Sequence, residues 1–257
     1  MFISKKYVPS LFTILNAFCG LMSIINASNG LYEQAALFII YASLFDLLDG
    51  FVARILKSSS NFGVELDSLS DVISFGAAPS FLLYSIHFKS LEGFGIAVSS
   101  LIMVFAAIRL ARFNVQLVGF DKNKFIGLPT PIASVTLASY ILFYHDKIFS
   151  EATSSVIISV LVIVLAILMV SKLRYDTMPK FSIRSFKKNP FIFTVIFIGL
   201  ILVIITRGEA LFFVCLFYLC SGIYRNIEHY ISKKFKKVGE EQDDEEVLKL
   251  KDTKLNR

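Results

Sequence analysis

Tryptophan is absent from this 257-residue sequence, and cysteine and histidine each occur only three times. The cysteines, Cys19, Cys215 and Cys220, all fall inside apolar runs. Their odd number and spacing make neither a disulfide framework nor a zinc site. Free cysteine often serves as a small buried hydrophobe, and all three are read as packing residues. His87, His145 and His229 sit at predicted helix ends and are given no catalytic role. Charge is thin along most of the chain. The formal net charge is +6, but the basic residues gather at helix ends and in a few loops, so no nucleic-acid partner is expected.

What the sequence has in abundance is apolar length. Hydrophobic residues make up 55% of it, above the roughly 45–50% of a soluble domain. Apolar runs recur from Val8 almost to Ile227, each about the ~20 residues that cross a ~30 Å hydrocarbon core. The fold class is therefore all-α, a polytopic membrane helix bundle. About eight spans are expected, near 8–28, 32–56, 67–87, 92–113, 128–145, 152–172, 189–206 and 208–227. Lys5 and Lys6 before the first run resemble a signal peptide. That run is long for one and no small-x-small site follows, so it reads as a retained first helix. The last two spans are the weakest, because Thr206 to Glu209 leaves a very short hairpin. Residues 1–227 form the membrane unit, and 228–257 a charged tail with few apolar residues, expected to be disordered.

Basic residues fix the orientation. Lys5, Lys6, Arg54, Lys57, Arg109, Arg112, Lys122 and Lys124 fall on one side. Lys172, Arg174, Lys180, Arg184, Lys187, Lys188 and Arg225 join them, with Lys233, Lys234, Lys236 and Lys237 in the tail. The other side holds only Lys89, Lys147 and Arg207 near the membrane. By the positive-inside rule both termini are cytoplasmic, in the cell's inner or cytoplasmic membrane.

Against this apolar background four aspartates stand out. Asp46 and Asp49 are three apart at the end of the second helix, and Asp67 and Asp71 four apart at the start of the third. Either spacing puts a pair on one helical face. The short connector makes the helices antiparallel neighbours, so the four carboxylates can face each other near the cytoplasmic end. Each ionised Asp costs about 2.5–3.5 kcal/mol at a membrane helix centre, and four like charges repel. One or two divalent ions are the compensation such a cluster demands. Oxygen ligands without nearby His or Cys favour Mg²⁺ or Mn²⁺ over zinc. Gly50, Ala53 and Gly63 allow close approach of a helix or ligand, and Arg54 offers a forked donor for phosphate. A carboxylate-lined ion pathway is the competing reading at this point.

The pattern Asp46-x2-Asp49-Gly50-x2-Ala53-Arg54-x8-Gly63-x3-Asp67-x3-Asp71 resembles the CDP-alcohol phosphotransferase signature at every specified position. Three flanking segments resemble the membrane-embedded phosphatidylserine synthases of bacteria and archaea. They are Asp67 to Pro79; Arg109 to Asn114 with Phe125 to Pro131; and Pro9 to Asn16, where Thr13 and Asn16 occupy motif positions. The likeness covers roughly residues 5–225. It implies a six-helix catalytic core, a homodimer, and two divalent ions held by Asp46, Asp49, Asp67 and Asp71. It also implies that Asp71 is the general base, and that Gly50, Arg54 and Ser60 contact the phosphates and nucleotide of the CDP-lipid.

The implied reaction is transfer of the phosphatidyl group of CDP-diacylglycerol to L-serine, giving phosphatidylserine and CMP. Gly63, Thr13, Asn16, Arg109, Arg112 and Asn114 complete the expected substrate-binding set. Arg109 and Arg112, three apart, suit the serine carboxylate but equally suit anchors snorkelling to the interface. Asn114 suits nucleotide, amino acid or a helix end; Lys172 and Arg174 are further candidates. A related transferase using glycerol 3-phosphate or inositol shares all four Asp.

Overall fold

The computed structural model describes residues 8–56, 58, 60–118, 127–145, 147–173, 175 and 190–228. Among the described residues there are helices and turns and no strand. The helices are α1 (Val8–Ser28), α2 (Tyr32–Leu56), α3 (Asn61–Asp71), α4 (Ala78–Leu83), α5 (Glu92–Val118), α6 (Thr130–Phe143), α7 (Glu151–Val170) and α8 (Pro190–Ile205). Then comes α9 (Ala210–Glu228). Among the described residues five stretches are long and apolar enough to cross a membrane, and α6 and Thr194–Ile205 are shorter apolar helices. The chain is an all-helical, multi-pass membrane protein. Lys5, Lys6, Lys57, Lys122, Lys124, Phe125, Ile126, Arg174, Lys180, Arg184, Lys187, Lys188 and the tail from His229 lie outside the described residues. Two compact units divide the chain, Met1–Phe217 and Tyr218–Arg257. The first contains every residue of the site described below.

The third helix starts at Asn61 rather than near residue 67. Ser60 is the reason. Its backbone is extended, and its Oγ accepts the Gly63 N–H at 3.1 Å, satisfying one of the orphan donors of a helix start. Apolar runs mark where a span enters hydrocarbon, whereas the cap marks where the helix begins. Six residues separate the two.

The apolar stretch Asn61–Val115 is 55 residues long, far more than one crossing needs. It folds back at Glu92, which adopts φ 47°. The returning α5 then runs antiparallel to α3 and α4: the Met103 N–H donates to Ser80 Oγ at 3.0 Å, and Asn114 meets Ser68. Contacts elsewhere alternate between two ends of the bundle. At one end the first half of α1 meets the end of α2 and the last residue of α3, and the end of α5 meets the end of α7. At the other, Tyr32 donates to the Ser85 carbonyl, Ser155 Oγ bonds His87 Nε2 at 2.7 Å, and Lys147 pairs with Glu33 at 2.7 Å. α6 sits inside, with every residue from Ala133 to Leu142 buried. A helix apolar on all sides belongs in such a position.

Two glycines are dictated by geometry. Gly127 has φ +89°, and a Cβ there would run into the Met169 carbonyl oxygen. Its N–H donates to Leu173 O at 2.8 Å and the next one, of Leu128, to Leu168 O at 3.0 Å, sewing the entry to α6 onto the end of α7. Gly20 marks a close helix crossing. A Cβ there would lie 2.8 Å from Ser74 Cα, a backbone atom that cannot rotate away. Gly20→Ala therefore forces α1 off the helix that carries Asp71. We expect a loss of about 1–3 kcal/mol from overpacking, read as a lower melting temperature in detergent; an unchanged one would contradict the close crossing.

Between α3 and α4 the helix widens into a π-helical stretch, Val72–Ala77. Such insertions often mark functional sites. Hydroxyls tie it to neighbouring helices: Ser134 Oγ donates to Phe75 O at 2.6 Å, and the stretch's own Ser74 Oγ donates outward to Asn16 O at 2.8 Å. In a membrane, backbone groups released from the regular ladder must find such donors and acceptors inside the protein.

Candidate active site

Asp46 and Asp49 lie one turn apart near the end of α2, and Asp67 projects from α3 beside them. One carboxylate oxygen from each of the three lies within 4.8 Å of the others. Asp49 is buried, and Asp46 and Asp67 are half-buried. Asp67 Oδ1 is buried with no hydrogen-bond donor, an arrangement that costs several kcal/mol for a charged oxygen unless a cation satisfies it. Opposite oxygens around Mg²⁺ at about 2.1 Å are about 4.2 Å apart. Three oxygens within 4.8 Å of one another are near enough for side-chain movement to close them on one ion. The donor set is all carboxylate, which suits a hard divalent cation.

Asp71 stands one turn beyond Asp67 and is buried. It is not one of the three converging groups. Its Oδ1 accepts from Asn16 Nδ2 at 3.1 Å. On the neighbouring carboxylate, Asp49 Oδ2 accepts from Thr13 Oγ1 at 2.8 Å. Thr13 and Asn16 are 3% and 0% exposed. Each of the N-terminal pair expected to bind substrate thus bonds an aspartate.

Gly50 and Arg54 stay together on an open flank of the cluster. A Cβ on Gly50 would meet only Arg54 Nη1 within 4 Å, at 3.8 Å, and Arg54 is exposed. Bare backbone beside an exposed guanidinium is room for an anionic ligand. Ser60 and Gly63 are joined as the cap of α3. Asn114 Nδ2 donates to Ser68 Oγ at 3.0 Å and to Glu65 Oε2 at 3.4 Å, on the helix that carries Asp67. Arg112 Nη1 donates to Val170 O at 2.9 Å. A cation on the terminal carbonyls of a helix satisfies an orphan acceptor and opposes the helix dipole. Arg109, one turn earlier on α5, is buried. Lys172 is exposed.

Two helix ends contribute four aspartates on the signature spacing, three of them converging, with the glycine and arginine of that spacing alongside. The family model for CDP-alcohol phosphatidyltransferase matches residues 6–171. The chain belongs to the CDP-alcohol phosphatidyltransferase family. Curated relatives agree along most of its length. It is 39% identical over 217 residues to the CDP-diacylglycerol–serine O-phosphatidyltransferase of Helicobacter pylori, covering 84% of this chain and 90% of that one. The enzyme of the same name from Bacillus subtilis is 32% identical over 184 residues, 72% of this chain and 98% of the relative. The archaetidylserine synthase of Methanothermobacter thermautotrophicus is 41% identical over 172 residues, 65% of this chain and 69% of its own. The family match takes in α1 to α7 and ends just beyond Val170, so every element of this CDP-alcohol phosphatidyltransferase site lies within it.

Ser68 was not expected at the site from the sequence, nor Ser134 against the widened helix that follows it. A hydroxyl in an apolar helix bonds its own preceding turn as readily as a neighbour, as Ser68 Oγ also does to Val64 O at 3.1 Å. Spacing alone carries no sign of which it chooses.

Proposed function

We propose that this chain transfers the phosphatidyl group of CDP-diacylglycerol to L-serine, releasing CMP. The observation that carries the reading is the convergence of Asp46, Asp49 and Asp67 beside the buried Asp71, in a chain whose relatives bear that activity in their names. Asp46, Asp49, Asp67 and Asp71 are the residues that would hold two divalent ions, Mg²⁺ or Mn²⁺. Bound there, the ions supply neutralisation of the pyrophosphate charge.

The remaining steps belong to the chain. Arg54 and the bare backbone at Gly50 and Gly63 receive the phosphates, with Ser60 close to Gly63. Asp71 accepts the proton of the serine hydroxyl. The serine oxygen forms its bond to the lipid-side phosphorus as the bond to the CMP oxygen breaks. Arg109 and Arg112, one turn apart on α5, are the serine-carboxylate candidates; the bond to Val170 O uses one Arg112 N–H and leaves other donors of that guanidinium. The acyl chains stay in the bilayer while the head group reaches a site at the cytoplasmic ends of α2 and α3, in the inner membrane. Residues 1–227 constitute the membrane unit and 228–257 a cytoplasmic tail, and the family likeness implies a homodimer.

The test is the lipid product. Purified protein with CDP-diacylglycerol and Mn²⁺ is offered serine, glycerol 3-phosphate or inositol in separate reactions, and the extracted lipid is identified by mass. Phosphatidylserine from serine alone is expected. A phosphatidyl product from either other acceptor, with none from serine, overturns the acceptor assignment.

A further inference from the structure

We infer that α1 is the alignment element of the metal cluster: Thr13 and Asn16 are positioning residues that hold Asp49 and Asp71 in place, and neither touches a substrate. This rests on the reading of the aspartates as metal ligands and base.

Burial comes first. Thr13 is 3% exposed and Asn16 not at all, so a ligand arriving from water or bilayer reaches neither side chain. Their bonds show what they do instead. Thr13 has one hydroxyl proton and two acceptors in range, Pro9 O at 3.3 Å and Asp49 Oδ2 at 2.8 Å. The shorter bond, to a charged acceptor, is the stronger one, and the proton goes to Asp49. That bond stops the carboxylate from rotating about its terminal torsion, which is otherwise broad. Asn16 is tied to the third helix twice: through Nδ2 to Asp71 Oδ1, and through its own carbonyl to Ser74 Oγ.

The reach of these short side chains depends on close helices. Asn16 and Gly20 are four apart on α1 and share a face, as do Asp71 and Ser74 on the helix opposite. Because Gly20 has no Cβ, the backbone approaches Ser74 closely enough for Asn16 to span the gap. Thr13, three residues before Asn16, turns to α2 instead. α1 therefore lies between the two aspartate-bearing helices and bonds one carboxylate on each.

Hydrogen bonds that orient ligands to a metal are worth about 10–100-fold in metal affinity, so the inference is read on metal binding rather than turnover. Mn²⁺ is titrated into the full-length detergent-solubilised protein, and the free aqua ion is followed by electron paramagnetic resonance. Thr13→Val keeps the shape and removes the donor; Thr13→Ser restores it. Thr13→Val is expected to weaken Mn²⁺ binding about 10–100-fold, with Thr13→Ser near the wild type. A loss below about tenfold, or one that Thr13→Ser does not restore, overturns it. Asn16→Ala is expected to lower kcat at saturating Mn²⁺ with the serine KM unchanged. A raised serine KM with kcat kept would make Asn16 a substrate-binding residue and overturn its part. Wild-type protein whose Mn²⁺ affinity depends on the Thr13 hydroxyl but that forms no lipid from serine would sink the proposed function and leave the alignment role standing.

Discussion

Asp71→Asn lowers serine-dependent CMP release by about 10²–10⁴-fold, the range by which a positioned general base accelerates a reaction. The fold survives, because the amide is the same size and its oxygen still accepts the Asn16 N–H that now reaches Asp71 Oδ1. Metal binding survives in part, since the converging oxygens belong to Asp46, Asp49 and Asp67. The variant is expected to retain at least one Mn²⁺ per chain by spin-resonance titration, and its rate is not recovered by excess metal. Turnover near that of the wild type would remove Asp71 as the proton acceptor.

Asp67→Asn has the opposite signature. Asp67 supplies one of the three converging oxygens and carries a buried oxygen without a donor. Its replacement leaves only a neutral amide oxygen in place of a charged ligand, so Mn²⁺ affinity falls by at least the about 10–100-fold typical of a lost supporting bond. Part of the rate returns as Mn²⁺ is raised. Stability moves in two directions. Without metal, three carboxylates within 4.8 Å repel one another, and neutralising one relieves that repulsion. The variant therefore melts higher than wild type in chelator and gains less from added Mn²⁺. A variant that melts lower in chelator would mean that Asp67 supports the fold rather than a cation.

The spans were legible because hydrocarbon demands long apolar runs. The predicted 8–28 and 32–56 coincide with α1 and α2. The start of α3 was not, because Ser60 sets it by a cap that hydropathy does not register. The aspartate cluster was legible from the cost of carboxylates in a membrane and from helical spacing. Its division into three converging groups and Asp71 was not, because spacing puts all four on facing surfaces and leaves side-chain directions open. Thr13, Asn16 and Arg112 show the same limit. Each sits at a position suited to substrate, but the sequence does not say whether a polar side chain meets a ligand, a carboxylate or a helix end. The structure bonds them to Asp49, Asp71 and Val170. The hydroxyls that tie the widened helix after Asp71 to its neighbours were hidden for the same reason.

The most direct measurement is CMP release by the purified protein in detergent with CDP-diacylglycerol and Mn²⁺, with and without L-serine. The account predicts CMP formed one for one with phosphatidylserine, abolished by chelator, restored by Mn²⁺ and absent without serine. No CMP with serine and metal present, from folded protein that binds Mn²⁺, would contradict it.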